Sequence, residues 1–228
     1  MSSDLKVYRL AVCLYPGVCT TDYQGPVELF CIFNTVNRKA LAPFFKHLPN
    51  AVIEAEFLSH NMEPIPAMTG PKIVPTMTYE EGLKTAFDII LVPGGPGPKN
   101  VPGDIHEFLK KKNPETEYIL SVCTGSLHLA YAGLLEGQRA TTNKALFNHV
   151  VEQTKDQNIT WVSKARWVVN DDKHIWTASG VTAGIDQAYA FLVHLFGREF
   201  ADEAKGLIEF RTQDDANEDE FAAYYGLA

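Results

Sequence analysis

Cys123 stands where a thiol can act as a nucleophile. The stretch Glu117-Tyr-Ile-Leu-Ser-Val-Cys-Thr-Gly-Ser-Leu-His-Leu-Ala-Tyr-Ala132 reads as a buried strand running straight into a helix, with Cys123 on the joint ahead of Thr124, Gly125 and Ser126. A sharp strand-to-helix turn of this kind is a nucleophile elbow, which exposes the reactive atom at the carboxyl edge of a sheet. The helix that follows turns its free N–H groups and the positive end of its dipole toward the sulfur. On that ground the thiol is expected to ionise more readily than a free cysteine.

Partners for the thiol are found at the ends of two other strand-like segments. One is the loop Pro16–Gly25, which contains Asp22 within Thr21-Asp22-Tyr23-Gln24-Gly25-Pro26; the other is Pro93-Gly94-Gly95-Pro96-Gly97. In open α/β folds, ligands bind at the edge where such strands end. A thiol, a carboxyl and flexible backbone amides would converge there. The thiol attacks, and the Gly95 and Thr124 N–H groups stabilise the charge that develops, with Gly94 beside them. The carboxyl exchanges a proton with the substrate or holds the thiolate. Pro96 has no N–H, so Gly95 is the donor on that turn. Asp22 and Glu28 compete for the carboxyl role, and Asp22, in the loop before Gly-Pro, is preferred.

No histidine completes a Cys–His pair. His128 lies five residues past Cys123 on the same helix, roughly 140° around it, and so points elsewhere. A thiol with a carboxylate and no histidine is poor machinery for a protease or amidase, and suits addition to a small electrophilic carbon. A further segment, Ala178-Ser-Gly-Val-Thr-Ala-Gly-Ile-Asp186, ends the last strand and enters a long helix. Thr182 is placed to cap that helix and Asp186 falls in its first turn. With Glu28, these two are candidates for supporting the site from behind.

The elements that must position these groups alternate strand and helix. That alternation predicts an α/β fold with a doubly wound, mostly parallel sheet flanked by helices. Strands are expected at Lys6–Tyr15, Val52–Ser59, Phe87–Val92, the elbow strand, Ile159–Val162, Arg166–Val169 and His174–Ala178. Helices are expected from Pro26 to about Lys39, around Ile105–Lys112, after the elbow, at Ala145–Lys155, Ala183–Phe196 and near Glu199–Phe210. Ile65–Thr76 reads as a Pro-broken hairpin, and the acidic stretch Gln213–Glu220 as a loosely ordered tail.

The 228 residues, 46% of them apolar, suit one domain with a large core, spanning 1–228. A net charge of −8 argues against a nucleic-acid backbone as partner. No apolar run is long enough to span a membrane, and the start Met1-Ser-Ser-Asp-Leu-Lys-Val lacks the pattern of a signal peptide. The four cysteines Cys13, Cys19, Cys31 and Cys123 form no C-x-x-C pair and have no histidine at zinc spacing. A reduced, cytoplasmic setting is expected, with nuclear access left open. The first helix carries Leu29, Phe30, Ile32, Phe33 and Val36, more large apolar side chains than one core-facing stripe needs, and a second copy of the chain could cover the excess.

Over about residues 6–200 the chain resembles the DJ-1/PfpI superfamily. The carrying motifs are Asp22-Tyr-Gln-Gly-Pro-Val-Glu-Leu-Phe30, Val92-Pro-Gly-Gly95, Ser121-Val-Cys-Thr-Gly-Ser126, Ala132-Gly-Leu-Leu-Glu-Gly-Gln-Arg-Ala-Thr-Thr142 and Gly180-Val-Thr-Ala-Gly-Ile-Asp186. Within the superfamily it looks like the isocyanide hydratases. The resemblance implies a flavodoxin-like sandwich, Cys123 as nucleophile, Asp22 as general acid/base, Thr124 as a neighbour in the pocket, and a homodimer with the site near its interface. It also implies hydration of an isocyanide with no metal or cofactor. A glyoxalase-like or deglycase activity on α-oxoaldehydes, or a redox-sensing role for Cys123, are the alternatives. The chain departs from that pattern at Asn143-Lys144, where His-Trp is usual. Too few residues follow the long helix for the helix-turn-helix pair of the regulator branch.

Overall fold

The computed structural model describes residues 5–227, so the first four residues of the N-terminal start lie outside it. Nine strands and nine α-helices alternate along these described residues. In the first half these are β1 (Lys6–Cys13), α1 (Thr20–Cys31), α2 (Arg38–Leu41), β2 (Ala51–Ser59), β3 (Met77–Thr78), α3 (Tyr79–Leu83), β4 (Ile89–Val92) and α4 (Asp104–Lys112). They continue with β5 (Tyr118–Val122), α5 (Gly125–Tyr131), β6 (Arg139–Ala140), α6 (Phe147–Gln153) and β7 (Thr160–Trp161). The last are β8 (Trp167–Val169), β9 (Ile175–Ala178), α7 (Ala183–Phe196), α8 (Arg198–Leu207) and α9 (Glu220–Tyr224).

Seven strands form one sheet in the order β3-β2-β1-β4-β5-β9-β8. Every pairing in it is parallel except β8 with β9. β4 is the run Ile-Ile-Leu-Val, wholly buried, as expected for a central parallel strand covered on both faces. Because β1, β4 and β5 are neighbours, the loops that leave their carboxyl ends lie side by side. The doubly wound α/β fold expected from the alternation is the fold observed. β6 and β7 pair in a separate two-stranded piece.

Three local expectations change. α1 starts at Thr20, not Pro26, and ends at Cys31, and Pro26 lies inside it. The proline costs the helix one N–H, but Asp22 compensates at the other end. Buried in the first turn, it meets the positive end of the dipole. α3, absent from the sequence reading, opens on a capping box. Thr78 accepts from the Glu81 N–H at 3.2 Å while the Glu81 carboxylate accepts from the Thr78 N–H at 2.8 Å. The stretch 213–220 is docked rather than loose. The Gln213 N–H donates to Asp186 Oδ1 at 2.8 Å, the Arg166 N–H to the Ala216 carbonyl at 2.8 Å, and the Asp219 N–H to the Lys164 carbonyl at 2.9 Å. These bonds satisfy backbone groups that a solvated tail would leave to water.

The large side chains of α1 are covered within the chain. Phe30 packs edge-on against Phe191 of α7, and Phe33 against Phe45 and Phe200 of α8. Burying each such ring contributes about 2 kcal/mol. Of the apolar residues counted on this helix, only Val36, just past its end, stands exposed. The excess apolar surface that pointed to a second copy of the chain is therefore not present on this helix.

Candidate active site

The elbow is built as the sequence suggests. Cys123 follows β5 with φ of 59°, a left-handed conformation that non-glycine residues adopt only where surrounding contacts impose it. Those contacts are visible. The Cys123 N–H donates to the Ser179 carbonyl at 2.8 Å and the Ala178 carbonyl at 3.2 Å. Its carbonyl accepts from the Thr142 hydroxyl at 3.0 Å and the Ser126 hydroxyl at 3.1 Å. The first residue of α5 must be glycine, because a Cβ on Gly125 would run into the Val92 carbonyl oxygen. Gly184 likewise lets α7 lie against Val122 just before the elbow.

Asp22 reaches the thiol from α1. Its side chain is fully buried, and Oδ2 accepts from the Gly94 N–H at 2.8 Å. Oδ1 is buried without a hydrogen-bond partner. The thiols of Cys19 and Cys123 flank the carboxyl. Burial raises the Asp22 pKa above the ordinary carboxylate value, and the two thiols and the Gly94 amide pull it part of the way back. A Cβ placed on Gly94 would lie 2.7 Å from Asp22 Oδ2, 2.8 Å from Thr124 Oγ1 and 2.9 Å from Cys123 Cβ. The carboxyl, the hydroxyl and the thiol-bearing carbon therefore meet at one point.

The expectation of a readily ionised thiol is overturned. Cys123 is 9% exposed, and its pKa is pushed up to about 12, first by burial and then by the Asp22 charge. The Thr124 N–H and the Asn143 side chain both favour the thiolate, yet they do not win. Removal of water and a neighbouring carboxylate outweigh these two hydrogen bonds. At pH 7 such a thiol stays protonated. The resting thiol is thus held protonated beside Asp22.

Of the two amides assigned to the developing charge, that of Gly95 is already occupied, as is that of Gly94 beside it. The Gly94 N–H serves Asp22. The Gly95 N–H donates to Thr124 Oγ1 at 3.0 Å, and the Thr124 hydroxyl donates back to the Gly95 carbonyl at 3.1 Å. Thr124 is therefore a clasp between elbow and glycine loop, and its N–H faces the sulfur. The loop is fixed from its other side as well, where the Tyr15 hydroxyl donates to the Pro93 carbonyl at 2.6 Å.

The remaining candidates separate from the thiol. Glu28 is exposed on α1, so the carboxyl at the site is Asp22. Asp186 is buried and paired with Arg166, whose Nε donates to Oδ2 at 2.7 Å. Thr182 makes no side-chain cap, and its hydroxyl accepts from Arg166 Nη2 at 3.2 Å. Asp186 and Thr182 thus support the docked segment after Gln213. His128 is fully buried and bonded to the Pro96 carbonyl at 3.1 Å and to His106 at 3.1 Å. Burial, followed by the charge His106 would carry, lowers its pKa to about 4 and keeps it neutral.

Two residues of the site were not assigned a role from the sequence. Cys19 precedes the true start of α1, and placing that start at Pro26 concealed it. Asn143 was visible only as a departure from His-Trp. Its Oδ1 accepts from the Leu146 N–H at 3.3 Å, which leaves the amide Nδ2 to donate to Cys123. The following Lys144 is buried, and its ammonium donates to the Thr141 hydroxyl at 2.7 Å and the Ala165 carbonyl at 2.6 Å. Asp219 lies 3.9 Å from the same ammonium and 3.6 Å from Arg166. Burial lowers the Lys144 pKa to about 8, against the pull of Asp219.

Known proteins share this family's sequence pattern and this fold. The sequence model of the DJ-1/PfpI family matches residues 27–194. An isonitrile hydratase of Pseudomonas putida is 28% identical over 204 residues, covering 89% of this chain and 78% of the relative. A DJ-1 homolog A of Arabidopsis thaliana is 26% identical over 151 residues, covering 64% of this chain and 37% of the relative. Among solved structures, a ThiJ/PfpI family protein from Pseudomonas syringae superposes with a TM-score of 0.71 at 24% identity, covering 92% of this chain and 78% of that one. Drosophila melanogaster DJ-1beta gives 0.69 at 17% identity, with 90% and 99% covered.

Proposed function

The chain belongs to the DJ-1/PfpI family, and from that premise we propose that it hydrates an isocyanide, R–N≡C, to the N-substituted formamide, R–NH–CHO. The observation that carries this reading is the pairing of the Cys123 thiol with the buried Asp22 carboxyl, with no histidine bonded to that thiol among the described residues. The terminal carbon of an isocyanide accepts a nucleophile and must then accept a proton. A thiol and a carboxylate supply both.

In the first step Asp22 takes the thiol proton as the sulfur adds to the terminal carbon. The same carboxyl then delivers that proton to the carbon, giving a thioimidate, Cys–S–CH=N–R. The high thiol pKa calls for this concerted transfer, because free thiolate is too scarce to react ahead of it. In the second step water adds to the thioimidate carbon, Asp22 again moves the proton, and the nitrogen is protonated. The C–S bond then breaks, the formamide leaves and the thiol recovers its proton. Atoms balance as R–N≡C plus H₂O. The charge in the first step develops on carbon rather than oxygen, which suits a site whose Gly94 and Gly95 amides are already engaged.

The similarity to the Pseudomonas putida isonitrile hydratase supports this reading. The alternative of an oxidation sensor fits less well, since peroxide reacts with thiolates and this thiol resists ionisation. The test is direct. Purified protein is given an alkyl isocyanide, and formamide is followed by mass spectrometry. Saturable turnover that disappears in Cys123→Ala is expected. Absence of turnover on isocyanides, with turnover of α-oxoaldehydes instead, would transfer the assignment.

A further inference from the structure

One residue removed from Cys123, through its bonding partners Asn143 and Ser179, lies a cavity of about 220 Å³ that the chemistry above leaves unused. Asn143 belongs to both places. Its amide donates to Cys123, and the same residue lines the cavity with Ala145, Gly180 and Val181. A Cβ on Gly180 would approach Asn143 Nδ2 to 2.7 Å, so glycine leaves room for the amide that bonds the thiol. The outer wall is aromatic, made by Phe221 and Tyr225 at and just beyond α9. These two side chains are 44% and 47% exposed, and they lie past the stretch 27–194 shared with the family. The wall is held in place by the docking of Asp219 on Lys164, Lys144 and Arg166.

We propose that this cavity receives the substituent R of the electrophile attacked by Cys123, and that Phe221 and Tyr225 select for an aromatic or bulky alkyl R. The inference rests on the isocyanide reading for its natural substrate. Its geometry holds for any electrophile that carries R beyond the reacting carbon. In a linear R–N≡C the substituent projects away from the sulfur, and the cavity that shares Asn143 with the thiol is the space assigned to it. A dry cavity of roughly 150 Å³ lined by apolar side chains is enough to hold benzene. A cavity of about 220 Å³ therefore has room for one ring and a short link. Ala145, Val181, Phe221 and Tyr225 give the lining its apolar surface, beside a serine and a threonine hydroxyl, the Asn143 amide and Lys144, a mix found in sites that hold an apolar group with a few polar contacts.

The test has two arms. In the first, kcat/KM is measured for benzyl isocyanide against methyl isocyanide. In the second, alkylation of Cys123 by N-benzyl iodoacetamide is compared with that by iodoacetamide, read peptide by peptide by mass spectrometry. There the sulfur displaces iodide whether or not the protein hydrates isocyanides. The wild type is expected to prefer the benzyl compound about tenfold or more in both arms. Phe221→Ala should erase most of that preference by removing the wall, and Ala145→Phe should erase it by filling the cavity. Melting curves confirm that both variants are folded. Equal rates for the two reagents, or a preference that survives both variants, overturns the inference. A benzyl preference in alkylation that both variants abolish, without hydration of either isocyanide, keeps the cavity assignment and rejects the hydratase reading.

Discussion

Gly94 and Asp22 are joined twice: the Gly94 N–H donates to Asp22 Oδ2 at 2.8 Å, and the missing Gly94 side chain leaves the space that this oxygen occupies. The glycine after β4 thus aims the carboxyl delivered by α1. Gly94→Ala should lower kcat/KM by about 100-fold, because the new methyl would push Asp22, Thr124 and the Cys123 side chain apart together. Steady-state kinetics with a melting curve checks this. A variant that keeps wild-type kcat/KM would show that the carboxyl needs no such aiming.

Asp22→Asn should separate two properties of Cys123 that usually move together. Removing the carboxylate charge takes away one of the forces that raise the thiol pKa, so alkylation by iodoacetamide at pH 8 should become faster. Hydration should become slower, by about 100-fold or more, because the proton carrier is gone. Glu28→Gln, on the exposed side of α1, should change neither by more than about twofold. If Asp22→Asn slows alkylation as well, the carboxylate takes the thiol proton in alkylation too, and losing that base outweighs the lowered thiol pKa.

In the wild type, the alkylation rate of Cys123 should keep rising with pH through 9 and 10 without a plateau, since its pKa lies near 12. A free cysteine levels off around its ordinary value of about 8.5. Burial that keeps the proton on the folded thiol also makes the folded state less stable as pH climbs. Between pH 9 and 12 the unfolded chain releases protons that folded Cys123 and Cys31 retain. A stopped-flow pH series provides the first readout. A plateau at pH 8 would mean that the dipole of α5 outweighs burial after all.

Asp219→Asn should loosen the segment after Gln213. It removes the anion that Lys144 and Arg166 share, at distances of 3.9 and 3.6 Å. Breaking a buried pair costs about 3 kcal/mol, toward the low end for contacts of this length. In a chain of this size that lowers Tm by roughly 6–10 °C. Limited proteolysis should cut first within residues 213–227. Unchanged Tm and unchanged cleavage would mean that the backbone bonds from Gln213, Ala216 and Asp219 suffice.

Much of this was legible in the order of residues, and what was not has physical reasons. Strand and helix alternate with distinct periods, so α7 could be read to the residue, β1 and β4 to within two residues, and β5 placed as the strand entering the elbow. The elbow was legible because only glycine fits at position 125 and a short polar run separates two apolar ones. The start of α1 was misread because Pro26 marks a first turn far more often than an interior. The correct start depends on Asp22 meeting a helix terminus inside the core. The thiol pKa was misjudged because a helix N-terminus shows in sequence, whereas the burial and charge of Asp22 beside Cys123 exist only after three strands have been aligned. The docked segment was missed because its acids look solvated until Lys144 and Arg166 are seen to be inside.

The left-handed backbone at Cys123 has a consequence for how this position changes over generations. Glycine would occupy that conformation more comfortably than any residue with a side chain, so the cysteine burdens the fold it sits in. On the proposed function, the reaction keeps it there. In a descendant lineage that no longer needs the chemistry, drift at position 123 should favour glycine, and the retired protein should fold more stably than its working ancestor.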